Sequence, residues 1–277
     1  MYRIGDKDYK LIYMDTNALR ETILNVKQAG KGFLNTFFLN NNNYAPCFSF
    51  MNVVELKPYH DIYRKFLEYF DVMSCIMFYL PQAILKNEYQ VYLGQKMNVL
   101  DFDIMRTSSP FFKDKTLMLR GFLNEKWNEL ELSVRSMIDD LDNTTKVWEM
   151  QRLRSKFESI VNPSYKVDMN YYLSKEKDAV IRDLKNFGVS GVSNDMDISK
   201  FPGARQIEFS QFMKVYNSKK AIKKNDALDV SLSCVVPYVD AVITEASMAE
   251  IYKQSKSFIP QMNSVEIYTL KDIRIAQ

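Results

Sequence analysis

Residues 9–20 read YKLIYMDTNALR, and this stretch decides the fold. Leu11, Ile12, Tyr13 and Met14 form a short apolar run of strand-forming types, and the carboxylate of Asp15 arrives where the run ends. Thr16 and Asn17 make a polar corner, after which helical spacing resumes, so a helix is predicted over 17–28. A strand apolar on both faces and followed by a helix belongs to a parallel sheet. In open α/β sheets ligands bind at the carboxyl edge of the strands, which is where Asp15 stands. An acid in that place has no packing role, and its partners must come from elsewhere in the chain.

Moving outward, the same signature recurs. Cys47 to Phe50 reads as a brief strand, followed by MNVVELKPYHDIYRKFLEYF (51–70), a helix that carries Glu55 and is broken at Pro58. CIMFYL (75–80) is a second buried strand, with Pro81 at the start of the next helix. Near the other end, QIEFSQFMKVYNSKK (206–220) and NDALDVSLSCVV (225–236) read as helices, the second capped by Asn225 or Asp226 and ended by Pro237. YVDAVIT (238–244) is a strand with Glu245 at its carboxyl end, ASMAEIYKQSKSF (246–258) its helix, and VEIYTL (265–270) the last strand.

Between these halves the character changes. Leu119, Leu123, Trp127, Leu130, Val134, Met137, Ile138 and Leu141 recur at three- and four-residue spacing, as do Val147, Trp148, Leu153, Phe157 and Ile160, which predicts two long amphipathic helices forming a hairpin. NFGVSGVSNDMDISKFPG (186–203) reads as a linker or mobile loop, and the run Asn40 to Asn43 as a solvated one. The expected organisation is an α/β core from 1–104 and 205–277, with 105–204 a helical insertion whose flexible linker lies near 187–204.

Composition narrows the classes of function. With 277 residues and 47% hydrophobic content the chain can bury a sizeable core, and 37 basic against 34 acidic residues leave only +3. Any nucleic-acid footprint must therefore be local. Cys47, Cys75 and Cys234 form no CxxC pair, which suits a reducing cytosol and excludes a cysteine zinc site. The charged opening MYRIGDKDYK and the lack of a long apolar run predict a cytoplasmic chain with no membrane partner. One histidine, His60, lies in a helical stretch without a nucleophile motif, so Ser–His or Cys–His catalysis is not expected. No phosphate-binding glycine loop is present; Gly30-Lys31-Gly32 resembles one only superficially.

Carboxylates remain. On a helix from Asp226, residues 226, 229 and 233 share a face, so Asp226, Asp229 and Ser233 are expected to look out of the core. If that helix abuts the strand edges, Asp15, Glu55, Asp226 or Asp229, and Glu245 converge on one cleft. Such a cluster repels itself unless a cation sits in it, and oxygen ligands select Mg²⁺ or Mn²⁺. The chemistry that suits the site is hydrolysis of a phosphodiester, where a metal lowers the pKa of water and offsets transition-state charge.

MDTN (14–17), FSFMNVVEL (48–56), NDALDVSLS (225–233) and DAVITE (240–245) resemble, in order, the four acidic motifs of PIN-domain nucleases. The resemblance covers about 8–100 and 205–275 and lies in the order and placement of common motifs. It implies a three-layer α/β/α fold with a central parallel sheet and a Mg²⁺- or Mn²⁺-dependent endoribonuclease site acting on single-stranded RNA. Asp15, Glu55, Asp226 and Glu245 match its acids, with Asp15, Asp226, Asp229 and Glu245 as metal ligands. Asn17 matches the polar residue after the first acid, and Thr244 the threonine before the last. Glu245 stands where the family more usually has aspartate, with Asp229 and Asp240 as alternatives. Lys219, Lys220, Lys223 and Lys224 form the one local basic cluster, expected to track a nucleic-acid backbone or simply to solvate a helix end. Alternative classes are a non-catalytic nucleic-acid-binding or scaffold member and a structure-specific DNA nuclease; the further partners considered are an inhibitory protein and a homo-oligomer.

Overall fold

The computed structural model describes residues 1–39, 43–101, 104–111, 118–218, 220–223 and 225–274. The chain is an α/β protein built on a mostly parallel seven-stranded sheet. Its strands are β1 (Tyr2–Ile4), β2 (Lys7–Met14), β3 (Tyr44–Ser49), β4 (Cys75–Phe78), β5 (Met105–Ser108), β6 (Ala241–Thr244) and β7 (Glu266–Thr269). They run in the order β5-β4-β3-β2-β6-β7, with β1 paired antiparallel to the start of β2.

The apolar run at 11–14 is the middle of this sheet. Leu11 to Tyr13 sit in register with Ala45 to Cys47 of β3 on one side, and Ile12 to Met14 with Ala241 to Ile243 of β6 on the other, both parallel. Hydrogen bonds satisfy the backbone on both edges, which permits all four side chains to be buried. The first half of β2 alternates exposed Lys7, Asp8 and Lys10 with buried Tyr9, as expected where it pairs with the β1 hairpin across a turn at Gly5 (φ 61°).

From β2 the chain steps outward to β3 and β4; it returns to place β6 on the other side of β2, then steps outward again to β7. The direction therefore reverses between β2 and β6. The gap beyond their carboxyl ends is the topological switch point of the sheet, where a crevice forms because the following helices depart to opposite sides. Those helices are α1 (Thr16–Leu24), after β2, and α10 (Ala246–Ser255), after β6.

The remaining helices are α2 (Lys31–Phe33, between π-helical turns), α3 (Phe50–Leu56), α4 (His60–Phe70), α5 (Pro81–Tyr92), α6 (Leu119–Val161), α7 (Met169–Asn186), α8 (Pro202–Phe212) and α9 (Asp226–Leu232). One packed group contains α1, α3 and α4; another contains α5, α8 and α10. Pro58 separates α3 from α4 as expected, Pro81 opens α5, and His60 is an exposed residue at the start of α4.

Four points depart from the sequence reading, the last being the segment 187–201, expected as a flexible linker. The two helices anticipated in the middle are one continuous α6 of 43 residues, about 65 Å long at the α-helical rise. Nothing between Gly121 and Pro163 breaks it: Thr144 turns its hydroxyl back onto the Asp140 carbonyl, and Trp148 is buried against the body. Second, α7 was not legible as a helix, although Asp168 caps it by accepting from Asn170 N (2.9 Å) and Tyr171 N (3.1 Å). Third, β5 pairs antiparallel with β4, so the sheet takes in residues beyond 104. The segment 187–201 is packed onto the body: Tyr89 on α5 donates to the Gly191 carbonyl (2.7 Å), and Val189, Met196 and Phe201 are buried. Asn40 to Asn42 and the side chain of Leu130 lie outside the described residues. Among the described residues no helix is long and apolar enough to cross a membrane.

Candidate active site at the sheet switch point

The acids reach this region from four places: the end of β2, α3, α9 and the end of β6. Asp15, the residue after β2, has extended backbone and is the N-cap of α1: its Oδ1 accepts from Ala18 N at 2.7 Å. Its Oδ2 accepts from the Thr244 hydroxyl (2.5 Å) and Glu245 N (3.2 Å) at the end of β6. This pair of bonds ties the carboxyl ends of the two central strands together. Three donors fill three of roughly four acceptor positions, so the carboxylate keeps one free. Burial raises its pKa; the three hydrogen bonds oppose that, and the charge of Glu245 adds to it.

Glu55 reaches the same region from the last turn of α3. Its two oxygens accept from the Thr16 hydroxyl and from Asn225 Nδ2 (3.2 Å), the residue before α9. Asn52, one turn earlier on α3, donates to Thr16 Oγ1 (2.9 Å) and accepts from Tyr13 and Ser49 N. Burial again raises the pKa of Glu55, against the Thr16 hydrogen bond and with the Asp15 charge. Asn17 donates to Glu245, which holds that side chain over α1.

The two aspartates of α9 behave differently from each other. Asp226 is buried and paired with Lys214: the ammonium lies 2.5 Å from Oδ1, and Lys223 N donates to Oδ2 at 2.7 Å. The expectation that it looks out of the core is therefore corrected; a lysine at the end of the preceding helical segment covers it. Ser233 is corrected too. It is buried and donates to the Val230 carbonyl (2.6 Å), because α9 tightens into a 3₁₀ turn over Ser233–Tyr238 and the α-helical spacing no longer applies. Asp229 is partly buried, and among the described residues none donates a hydrogen bond to its carboxylate. Burial pushes its pKa well above the ordinary range, and the charge of Asp15 pushes it further; Lys214 opposes, and Glu55 and Asp226 add smaller effects.

Asp240 does not join the group. It precedes β6, at the opposite end of that strand from Glu245, and accepts from Leu11 N (2.8 Å). Thr244 is buried and committed to Asp15, so it positions an acid and does not face a ligand. A cleft of about 590 Å³ opens beside the acids, lined by Asn17, Lys214, Asp226, Asp229 and Glu245, with exposed Lys220 and Lys223 at its rim. Lys219 and Lys224 lie outside the described residues. Arg152 of α6 donates to the Lys220 carbonyl, anchoring the basic segment to the long helix.

Sequence reading missed Thr16, Asn52, Lys214 and Asn225. Thr16, Asn52 and Asn225 all lie inside the quoted motifs, so their place beside the acids was a usable signal. Lys214 had none, since a lysine among Met213, Val215 and Tyr216 reads as an ordinary helix-surface residue.

The fold and site together define an α/β chain with an acid-lined, lysine-rimmed cleft at the switch point of a mostly parallel sheet. Compared with known proteins, the chain matches no family model, no curated protein and no solved structure.

Among the described residues no three carboxylates, histidines or cysteines meet closely enough to form a ready-made metal site. The donor chemistry nevertheless fits a hard dication: every acid offers oxygen, Asp15 keeps an acceptor position free, and Asp229 has no donor while Asp15, Glu55 and Asp226 repel it. Asp226 fits less well than expected, because Lys214 already neutralises it.

Proposed function

We propose that the chain is a divalent-metal-dependent nuclease of PIN-like, three-layer α/β/α type, hydrolysing phosphodiester bonds in single-stranded RNA. One observation carries the reading: the partly buried carboxylate of Asp229, to which no described residue donates a hydrogen bond, feels the charges of Asp15, Glu55 and Asp226 at the switch point of the sheet. Among the described residues Lys214 is the cation closest to these acids, and it is paired with Asp226; the remaining excess of negative charge in a low-dielectric crevice is a cost that a divalent cation removes. The two helix groups packed by α1, α3 and α4 and by α5, α8 and α10 are compatible with the layered fold that the resemblance implies.

Asp15 and Asp229 would hold Mg²⁺ or Mn²⁺, with Glu55 and Glu245 completing the shell through water. When bound, the ion supplies Lewis-acid stabilisation of the charge that develops at phosphorus. The chain's own residues do the rest. Thr244 and Ala18 N orient Asp15; Asn17 orients Glu245; Thr16 and Asn225 orient Glu55. Lys214 keeps Asp226 from adding another uncompensated charge, and Lys220 and Lys223 attract the phosphate backbone without regard to sequence.

Purified protein incubated with labelled single-stranded RNA tests this, with Mn²⁺, with chelator, and beside flap and single-stranded DNA. Mn²⁺-dependent cleavage lost in Asp229→Asn supports the reading. Cleavage that ignores metal and is unchanged in both Asp15→Asn and Asp229→Asn rejects it. A second reading is favoured by the Lys214–Asp226 ion pair and by there being, among the described residues, no three carboxylates close enough to share one ion: a non-catalytic nucleic-acid-binding member that keeps the cleft. It is distinguished by RNA retention without cleavage at any metal concentration.

A further inference from the structure

One acid of the cleft is already committed to a cation that belongs to the chain. Lys214 stands in a π-helical turn, Met213–Asn217, that continues α8, between the buried Met213 and Val215. Such turns insert a residue into a helix and recur at functional sites. This one delivers an ammonium to α9: Lys214 and Asp226 are 9% and 8% exposed, with Nζ 2.5 Å from Oδ1. A lysine is rarely buried without a partner, and here the partner's second oxygen is occupied as well, accepting from Lys223 N at 2.7 Å. The charge of Lys214 reaches past Asp226, because it opposes the raised pKa of Asp229, one turn further along α9. All three residues line the same cleft.

We infer that the Lys214 ammonium stands in for a second divalent cation, so that the cleft takes one Mg²⁺ or Mn²⁺ per chain where a two-ion site would take two; this deepens the metal-dependent reading of the cleft and rests on it. Two-ion phosphodiester sites place their cations about 3.5–4 Å apart, and both ions need ligand oxygens. A dication takes a carboxylate oxygen at about 2.0–2.1 Å, in the space that an ammonium on the same carboxylate already fills. It would also stand beside a fixed charge of its own sign. The lysine is tethered, and a tethered group competes with a free ion at high effective concentration. Asp226 is thereby withdrawn from the ligand set. Asp15 and Asp229 remain for the ion, in keeping with the lack, among the described residues, of three acids placed to share one.

The exchange changes what the cleft offers a phosphate. An ammonium carries one positive charge and three donors, of which Asp226 takes one. It offsets charge on a phosphate oxygen as a second ion would, with half the charge, and chelator cannot remove it.

Mn²⁺ titration calorimetry on the full chain, with the electron spin resonance of the bound ion beside it, tests this without recourse to activity. The parent is expected to bind one Mn²⁺. In Lys214→Gln the freed Asp226 is expected to take a second, giving two per chain and the dipolar broadening of neighbouring ions. Lys214→Gln combined with Asp226→Asn removes both halves of the pair and is expected to return the chain to one. Lys214→Gln leaves a buried acid without its counter-ion, so its fold is followed by circular dichroism with and without Mn²⁺. The Mn²⁺-induced rise in melting temperature is expected to be larger than the parent's, and a variant unfolded without metal is expected to regain native dichroism when Mn²⁺ is added. One Mn²⁺ in both the parent and Lys214→Gln, or two in the parent, overturns the inference and leaves the metal-dependent reading standing. So does a second ion that persists in the double variant, or a Lys214→Gln chain that Mn²⁺ does not refold. No Mn²⁺ bound by the parent overturns that reading, and this inference with it.

Discussion

Asp15 shows how one side chain serves structure and chemistry at once. One oxygen caps α1, and the other joins β2 to β6 through Thr244 and Glu245 N. Asparagine is also a good N-cap and carries no charge, but it has a single acceptor oxygen and so keeps only the cap. Asp15→Asn keeps the cap oxygen but turns an NH2 towards Glu245 N, so it is expected to cost about 1–3 kcal/mol of stability while lowering the proposed metal-dependent cleavage on the order of a hundredfold, read by melting and single-turnover assays side by side. Thr244→Val tests the positioning claim. Removing the hydroxyl that orients Asp15, a ligand in the proposed site, is expected to weaken Mn²⁺ affinity about 10–100-fold in titration calorimetry, without abolishing it.

Helix α8 illustrates what an element needs that its own residues do not provide. Pro202 opens it without an N–H, and its next two amides, from Gly203 and Ala204, are capped from a distance by Glu88 of α5, which also accepts from Tyr238. Burial outweighs these hydrogen bonds and lifts the pKa of Glu88 to about 7. The folded state therefore holds a proton that the unfolded chain releases, so stability is greatest below the ordinary glutamate pKa and is lost as pH rises towards about 7. The loss is about 3 kcal/mol at most, and the slope of melting temperature against pH over that window is expected to flatten in Glu88→Gln. Gly203 lies so close to Glu88 and to the Cys234 carbonyl that an added Cβ would sit 2.8 Å from each. One of those neighbours is backbone and cannot swing away, so Gly203→Ala is expected to cost about 1–3 kcal/mol in denaturant unfolding.

At the scale of the whole molecule, charge placement matters more than charge total. The net of +3 hides a cleft whose wall is acidic and whose rim carries Lys220 and Lys223. Mn²⁺ at about a hundred times its dissociation constant is expected to stabilise the folded chain by about 2.7 kcal/mol, seen as a rise in melting temperature that chelator reverses and Asp229→Asn removes. The strands β2, β4, β6 and β7, the break at Pro58 and the acids ending β2 and β6 were all legible in the primary order, because apolar runs, prolines and strand-terminal charges are local signals. The edge strand β5 and the capped helix α7 were not read, being short or weakly patterned. The continuity of α6 depended on what its middle packs against. The fate of Asp226 and Asp229 was beyond any local reading: the same helix carries both, yet Lys214, brought in by packing, neutralises one and leaves the other without a partner. The primary order alone was enough to place the central strands β2, β4, β6 and β7 and the acids that end β2 and β6, since backbone preference and burial pattern act over a few neighbouring residues. Only the tertiary structure decided which of those acids meet, because a side chain's electrostatic partners are set by the order of strands in the sheet and by residues distant along the chain.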